Sequence, residues 1–345
     1  MTSLIDRLWY GKGRPLRFLT PLSWLYGSIA ASRRRRAWDA KDESLPVPVL
    51  VIGNITAGGT GKSPLAGWLV TELSGSGWQP VIISRGYGGK SSDYPLLVTA
   101  DTNPSLAGDE PVMLAQATGR PVVVDPDRRR GACWALEQKL GNILVCDDGL
   151  QHYKLPRDIE LAVFDGVRGI GNGALIPVGP LRESVSRLSS VDYVVVNGGD
   201  PEPGGHMDNF DGIEHPRIYS MTLEPSSLIN LKTGETRSPS DLHDQPVRAV
   251  AGIGNPVRFF DTLRELGARV TEAPFPDHHG FRAEDLDADE GEWVVMTAKD
   301  AVKCQRFARE NVWALTVQAR LPSEFSESIM SKIRECSEQL TFKYQ

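Results

Sequence analysis

The chain has 345 residues, 40% of them hydrophobic and 24% charged, with a formal net charge of −6. That length allows two domains or one large one around a real core; the ordinary composition and the lack of any fixed-period self-similarity exclude disordered and repeat architectures. Four scattered cysteines (Cys133, Cys146, Cys304, Cys336), none in a CxxC pair, argue against a zinc site or a disulfide framework and read as thiols of a reducing compartment, the cytoplasm.

Charge is unevenly spread. Residues 1–40 hold eight Lys/Arg against two Asp/Glu, a net of +6, which leaves −12 on the rest. This head contains Trp9, Tyr10, Phe18, Leu19, Leu22, Trp24, Leu25 and Tyr26, then the run Arg33-Arg34-Arg35-Arg36. The uncharged stretch from Phe18 to Ser32 is fifteen residues, short for a bilayer span, and Pro21 and Gly27 interrupt it. It lacks the order of a signal peptide. Aromatic rings interleaved with arginines suit the membrane interface. The alternative is a helical hairpin packed on the body with its arginines solvated. Nucleic-acid binding is not expected, because the body is acidic.

Next comes the apolar candidate strand Pro48–Gly53, followed by the loop Asn54-Ile55-Thr56-Ala57-Gly58-Gly59-Thr60-Gly61-Lys62-Ser63. Pro64 suits a first helical turn, and Leu65, Leu69 and Leu73 recur at helical spacing. Strand, glycine loop and helix in this order form a phosphate cradle: backbone N–H groups from Thr56 to Gly61 wrap phosphates, Lys62 reaches the β/γ-phosphates and Ser63 can hold Mg²⁺. The strict pattern has glycine where this chain has Thr56.

Candidate strands follow at Pro80–Ser84, Pro121–Val124, Ile143–Cys146, Glu160–Phe164 and Asp192–Val196, short and rich in Val and Ile, with helical patterns between several of them. That pattern predicts a doubly wound parallel α/β domain of the P-loop NTPase kind over residues 41–205. The turn-rich stretch Pro201–Gly205 marks its end. Two β-like stretches, Arg217–Leu223 and Ser227–Leu231, with the turn Lys232-Thr233-Gly234, read as a hairpin linker. A smaller α/β domain within 206–345 is then predicted, with strands Val247–Ile253, Trp293–Thr297 and Val312–Val317 and helices Pro256–Leu266 and Asp300–Ala308. The tail Ser323–Cys336 reads as an amphipathic helix whose docking partner the pattern leaves open.

Several short motifs carry chemistry. Asp147-Asp148-Gly149-Leu150-Gln151-His152 follows an apolar strand downstream of the phosphate loop, where an acid coordinates Mg²⁺ directly or through water. Gly108-Asp109-Glu110-Pro111 fits either a helix start or a catalytic acid. Phe275-Pro276-Asp277-His278-His279 is either a surface histidine pair or a histidine that orients and tunes a carboxylate base; adjacent histidines make a poor zinc site. Arg85 and Tyr87 after the second strand, Arg128 after the third, and Arg182-Glu183 after the fifth bring arginines toward one sheet edge, where phosphates would lie.

These motifs in this order, together with Pro177-Val178-Gly179-Pro180-Leu181-Arg182-Glu183, resemble the tetraacyldisaccharide 4′-kinase family of lipid A biosynthesis, over about residues 50–280. Thr56 matches the usage of that family, and Ser63 stands where the family usually has threonine. The resemblance implies transfer of the γ-phosphoryl group of ATP, with Mg²⁺, to the 4′-hydroxyl of a tetraacylated glucosamine disaccharide 1-phosphate at the cytoplasmic face of the inner membrane. Lys62 and Ser63 would hold phosphate and metal, and Asp147 would help to ligate the metal. Asp109 would be the base, paired with His278 across the domain cleft that the smaller domain closes. Asp148, Gln151 and His152 would line the site, and Arg128 would assist. No obligate protein partner is expected.

The rival reading is a P-loop ATPase or GTPase switch, or a metallochaperone, acting on a protein partner. A GTPase would carry an Asn/Thr-Lys-x-Asp signature, but Thr297-Ala298-Lys299-Asp300 has the wrong spacing. A deviant P-loop ATPase would carry lysine where this chain has Ala57.

Overall fold

The computed structural model describes residues 4–11, 16–39, 44–198 and 215–344. The expected boundary at Pro201–Gly205 lies outside them. Strands among the described residues are β1 (Val49–Gly53), β2 (Pro80–Ser84), β3 (Leu96–Val98), β4 (Val122–Val124), β5 (Ile143–Cys146), β6 (Ile159–Asp165) and β7 (Tyr193–Asn197). They continue with β8 (Ile218–Asn230), β9 (Thr236–Arg237), β10 (Pro246–Ala251), β11 (Arg269–Pro274), β12 (Trp293–Thr297) and β13 (Val312–Arg320). The chain groups into two compact units, each built from separate stretches. The first is Met1–Arg85, Asp125–Thr222 and Ala319–Gln345; the second is Gly86–Val124 and Leu223–Gln318.

In the first unit β1 lies at the middle of a parallel set, with β5 then β2 on one side and β6, β7 and the start of β8 on the other. Every residue of β1, β2, β5, β6 and β7 is buried. That burial explains the near-continuous Val/Ile runs: strands covered on both faces have no side to leave polar. This is the doubly wound arrangement read from the sequence, and it gathers the loops after β1, β2 and β5 at the carboxyl ends of neighbouring strands. The terminal helix Ser323–Tyr344 belongs to this unit, longer than its pattern predicted. Its Phe325, fully buried, packs against Trp68, Tyr193 and Tyr219.

In the second unit β11, β10, β12 and β13 pair in parallel in that order, β8 pairs antiparallel with β9, and β3 pairs antiparallel with β4. Two stretches expected as separate strands are one thirteen-residue strand, β8, so the hairpin runs from β8 to β9. Polar residues such as Glu224 and Ser226 break its apolar pattern but not its backbone. Strand β11 escaped the sequence reading because its residues are mostly exposed or half-buried and carry Arg269, Thr271 and Glu272. The sequence also placed residues 86–124 in one contiguous first domain. In the structure they group with the second unit, where the helix Asp109–Thr118 packs on the helix Ala298–Cys304.

Candidate active site

The loop after β1 is shaped by its glycines and by what braces it. Gly61, at φ 96°, caps the helix Lys62–Gly75, and a Cβ there would stand 2.6 Å from Asn197 Nδ2. Asn197, at the end of β7, donates to the Thr60 carbonyl at 3.2 Å. Thr56 is buried and forms an antiparallel bridge with Leu181. The Ala57 N–H donates to the Pro180 carbonyl at 2.8 Å, and the Arg182 N–H to the Ile55 carbonyl at 2.7 Å. The first part of the loop is thus an extended, strand-like segment, which a β-branched residue favours and glycine would loosen. That accounts for threonine at position 56.

Around the helix start, Lys62 Nζ lies 3.4 Å from Asp148 Oδ1, and Ser63 Oγ donates to Asp147 Oδ2 at 3.4 Å. Arg182 Nη1 is 3.6 Å from the same Asp148 oxygen. Burial pushes the Asp148 carboxyl up, but Lys62, Arg182 and Arg128 outweigh it and hold it below the usual carboxylate range. Asp148 also sits at φ 48°, a left-handed backbone that a non-glycine residue adopts at a cost. Arg128 is 3% exposed and donates from Nη2 to the Asp147 carbonyl at 2.9 Å. Its Nε and Nη1 are buried without a hydrogen-bond partner among the described residues. Buried guanidinium N–H groups of this kind call for an anion.

A polar network lies behind this set. Gln151 donates to the Asn54 carbonyl at 2.8 Å and to Glu183 Oε1 at 2.9 Å. Glu183 is buried, also accepts from Tyr153, and lies 3.6 Å from the buried Arg187 guanidinium. Its carboxylate is therefore engaged within the protein, while Arg182 beside it is partly exposed. His152 is driven down to about 4 by burial and then by Arg128 and Arg85, so the ring is neutral at physiological pH. Arg85 itself is exposed at the end of β2. Sequence reasoning missed Tyr153, Arg187, Asn197 and Tyr10, whose hydroxyl donates to the Ala57 carbonyl at 3.0 Å. No motif marks them; they matter through contacts distant in sequence.

The second unit brings together two other candidates. Gly108 is the N-cap of the helix Asp109–Thr118 and Asp109 its first residue, a position that favours a carboxylate. Asp109 is buried, and its Oδ2 lies 3.2 Å from His278 Nδ1. Both residues belong to this unit, so the pair forms inside it. His278 sits at φ 60° and packs its ring 5.1 Å from that of Tyr87. His279 turns elsewhere: it stacks on Phe275 at 4.6 Å and contacts Asp285 Oδ2 at 3.1 Å. Nearby, Lys299 lies 3.1 Å from Glu110 and 3.6 Å from Asp277. Burial disfavours its charge, but Glu110, Asp109 and Asp277 raise it above the usual lysine range. The sequence reading placed a helix at Asp300–Ala308, where the structure has Ala298–Cys304, but weighed Lys299-Asp300 only as a guanine signature and gave Lys299 no part beside Asp109.

A phosphate loop after a central parallel strand, with lysine, serine and paired acids at the ends of neighbouring strands, defines a P-loop kinase fold. The family model described as Tetraacyldisaccharide-1-P 4′-kinase matches residues 15–334. Two Vibrio cholerae proteins named tetraacyldisaccharide 4′-kinase are each 45% identical over 97% of this chain and 98% of their own length. A Methylobacillus flagellatus protein of the same name is 45% identical over 97% of both chains. A crystal structure from Aquifex aeolicus, described as the apo form of LpxK in complex with ATP, superposes with a TM-score of 0.76 at 30% identity, covering 92% of this chain and 98% of that one. The chain belongs to the tetraacyldisaccharide 4′-kinase family, and it is an ATP-dependent kinase of lipid A biosynthesis.

Proposed function

We propose that the protein transfers the γ-phosphoryl group of ATP, in line, to the 4′-hydroxyl of a tetraacylated glucosamine disaccharide 1-phosphate. The observation that supports this reading best is the buried Asp109 carboxylate with His278 Nδ1 at 3.2 Å from it, in a chain of this family. In the proposed reaction the loop Thr56–Ser63 binds the nucleotide phosphates, with Lys62 and Arg128 neutralising charge that develops on the transferred group. Arg85, Tyr87, Arg182, Gln151 and His152 orient phosphate or sugar. Asp109 accepts the proton of the 4′-hydroxyl as its oxygen bonds to phosphorus and the bond to the ADP oxygen breaks, while His278 fixes the carboxylate. Ser63 Oγ and Asp147 Oδ2, 3.4 Å apart, are the hard oxygen donors that suit Mg²⁺. Bound there, the metal would supply positive charge that offsets the charge of the phosphates. Assaying ATP, Mg²⁺ and the tetraacylated disaccharide together tests the reading: 4′-phosphorylated product with acceptor-dependent ADP release is expected. Acceptor-independent hydrolysis or a preference for GTP would overturn it in favour of a nucleotide switch.

The N-terminal segment supports a place at the cytoplasmic face of the inner membrane. No helix of the described residues is long and apolar enough to cross a membrane. The helix Thr20–Asp39 runs through both Pro21, in its first turn, and Gly27, whose missing side chain lets the helix approach Leu175. Ser23 donates to the Leu175 carbonyl at 2.9 Å, so the inner face is docked. Phe18 (75% exposed), Trp24 (71%), Leu22, Leu25 and Ile29 face outward, with Arg33, Arg35 and Arg36 exposed beyond them. Apolar rings next to arginines suit an anionic lipid surface. Replacing Phe18 and Trp24 by serine is expected to weaken sedimentation with phosphatidylglycerol vesicles several-fold while leaving ATP binding unchanged; undiminished sedimentation would refute this placement.

A further inference from the structure

One cation beside Asp109 has no part in the reaction as set out so far. The helix Ala298–Cys304 begins at Thr297, whose side chain accepts from the Asp300 N–H at 3.2 Å. Asp300 is fully buried. Its Oδ2 accepts from the Gly252 N–H and from Thr297 Oγ1, both at 2.9 Å, and its Oδ1 accepts from Lys303 Nζ at 2.8 Å. A carboxylate at 0% exposure with three donors is a fixed anchor, and one turn later in the helix Lys303 is pinned to it. The lysine side chain is 14% exposed, and its ammonium lies 4.9 Å from the centre of the Phe281 ring. From that position Lys303 Nζ reaches to 3.8 Å from Asp109 Oδ2, the oxygen that also faces His278 Nδ1 at 3.2 Å.

The two oxygens of Asp109 are therefore unequal. Oδ2 faces an imidazole and an ammonium, whereas Oδ1 receives the backbone N–H of Glu110 at 3.2 Å and no side-chain donor among the described residues. The other charges near the pair are already committed. Lys299 faces Glu110 and Asp277, Asp277 Oδ2 lies 3.9 Å from His278 Nε2, and His279 is held by Asp285. Cys304, next to Lys303 in the chain, has its thiol pushed up to about 12, chiefly by burial, and carries no charge. Lys299, on the same helix, also feels the charge of Asp109 but pairs with Glu110 and Asp277; Lys303 is the lysine whose ammonium comes to 3.8 Å from the Asp109 carboxylate, and it cannot swing away without leaving Asp300.

We infer that Lys303, anchored by Asp300, is a positioning residue for Asp109: with His278 it holds Oδ2 and leaves Oδ1 to take the proton of the acceptor hydroxyl. The inference rests on the reading of Asp109 as base.

The test uses the full chain with ATP, Mg²⁺ and the tetraacylated disaccharide 1-phosphate in detergent, comparing wild type with Lys303→Met, Lys303→Arg and Asp109→Asn. Lys303→Met is expected to lower kcat about tenfold and to leave KM for ATP within about twofold. Lys303→Arg, which keeps the charge, should restore most of the lost kcat. If thermal melting shows that Lys303→Met is unfolded, Lys303→Gln keeps a donor for Asp300 without the charge and reads the same loss of kcat. A wild-type kcat in the folded charge-free variant, with Asp109→Asn inactive, would overturn the role of Lys303 and leave the base in place. Activity retained by Asp109→Asn would instead overturn the base, and this inference with it.

Discussion

The phosphate loop and the Asp109 pair bind charge in opposite ways. Around Thr56–Ser63 the surroundings are cationic: Lys62, Arg128 and Arg182 converge, and Asp148 is held ionised among them. Its parts are local, a strand, a loop and a helix consecutive in sequence. In the second unit the buried Asp109 carboxylate faces His278, which lies 169 positions away in the chain, and Lys303 beyond it. In the first, backbone N–H groups and the Arg128 donors that lack a partner among the described residues are in place for the proposed phosphates. In the second, one carboxylate oxygen faces His278 and Lys303 while the other accepts a backbone N–H, the inequality on which the proposed base rests. A phosphate cradle needs little beyond short-range sequence, whereas a tuned base needs long-range contacts.

Substitutions can break this contrast. Replacing Asp109 by alanine should have the largest effect, lowering kcat by about 10²–10⁴-fold with ATP affinity nearly unchanged. Lys62→Ala should do the reverse in kind, weakening nucleotide binding and turnover together; titration of both variants with a fluorescent ATP analogue separates them, and full activity in Lys62→Ala would refute the phosphate cradle. Gly61→Ala is expected to cost about 1–3 kcal/mol of stability, from its φ of 96° and the approach to Asn197. A thermal melt with and without ATP checks this, and an unchanged melt would mean that the loop relaxes freely.

The smallest effect concerns pH. The folded His152 titrates near 4 rather than at the ordinary 6.5, so protonation favours the unfolded chain. Its contribution to stability is complete above pH 6.5 and is lost as the pH falls toward 4. His152→Asn should flatten stability across that window by on the order of 1 kcal/mol, after allowance for solvent screening of a partly exposed ring. Identical urea midpoints for variant and wild type at pH 4.5 would show that the ring is not the titrating group.

Much of the molecule was legible in the sequence. Continuous Val/Ile runs gave the parallel strands of the first unit because two-sided burial removes any need for alternation, and Lys62 and Ser63, read as partners of Asp147 and Asp148, do come together with them at the ends of neighbouring strands. Thr56 departs from the strict loop pattern but matches the usage of the family, and its bridge to Leu181 adds the physical reason, an extended segment. Strand β11 was invisible because an edge strand needs little apolar surface.

What the sequence determined by itself was the P-loop kinase fold, its parallel core and the family, since these follow from spacing and from order along the chain. Only the tertiary structure decided that residues 86–124 join the second unit, that the terminal helix returns to the first, and which of two adjacent histidines meets Asp109. It alone placed Lys303 and the buried Asp300 beside that carboxylate. The physical reason is reach. Propensity and periodicity act over a few residues, whereas the environment of a buried charge is assembled from segments that meet only once the chain has folded.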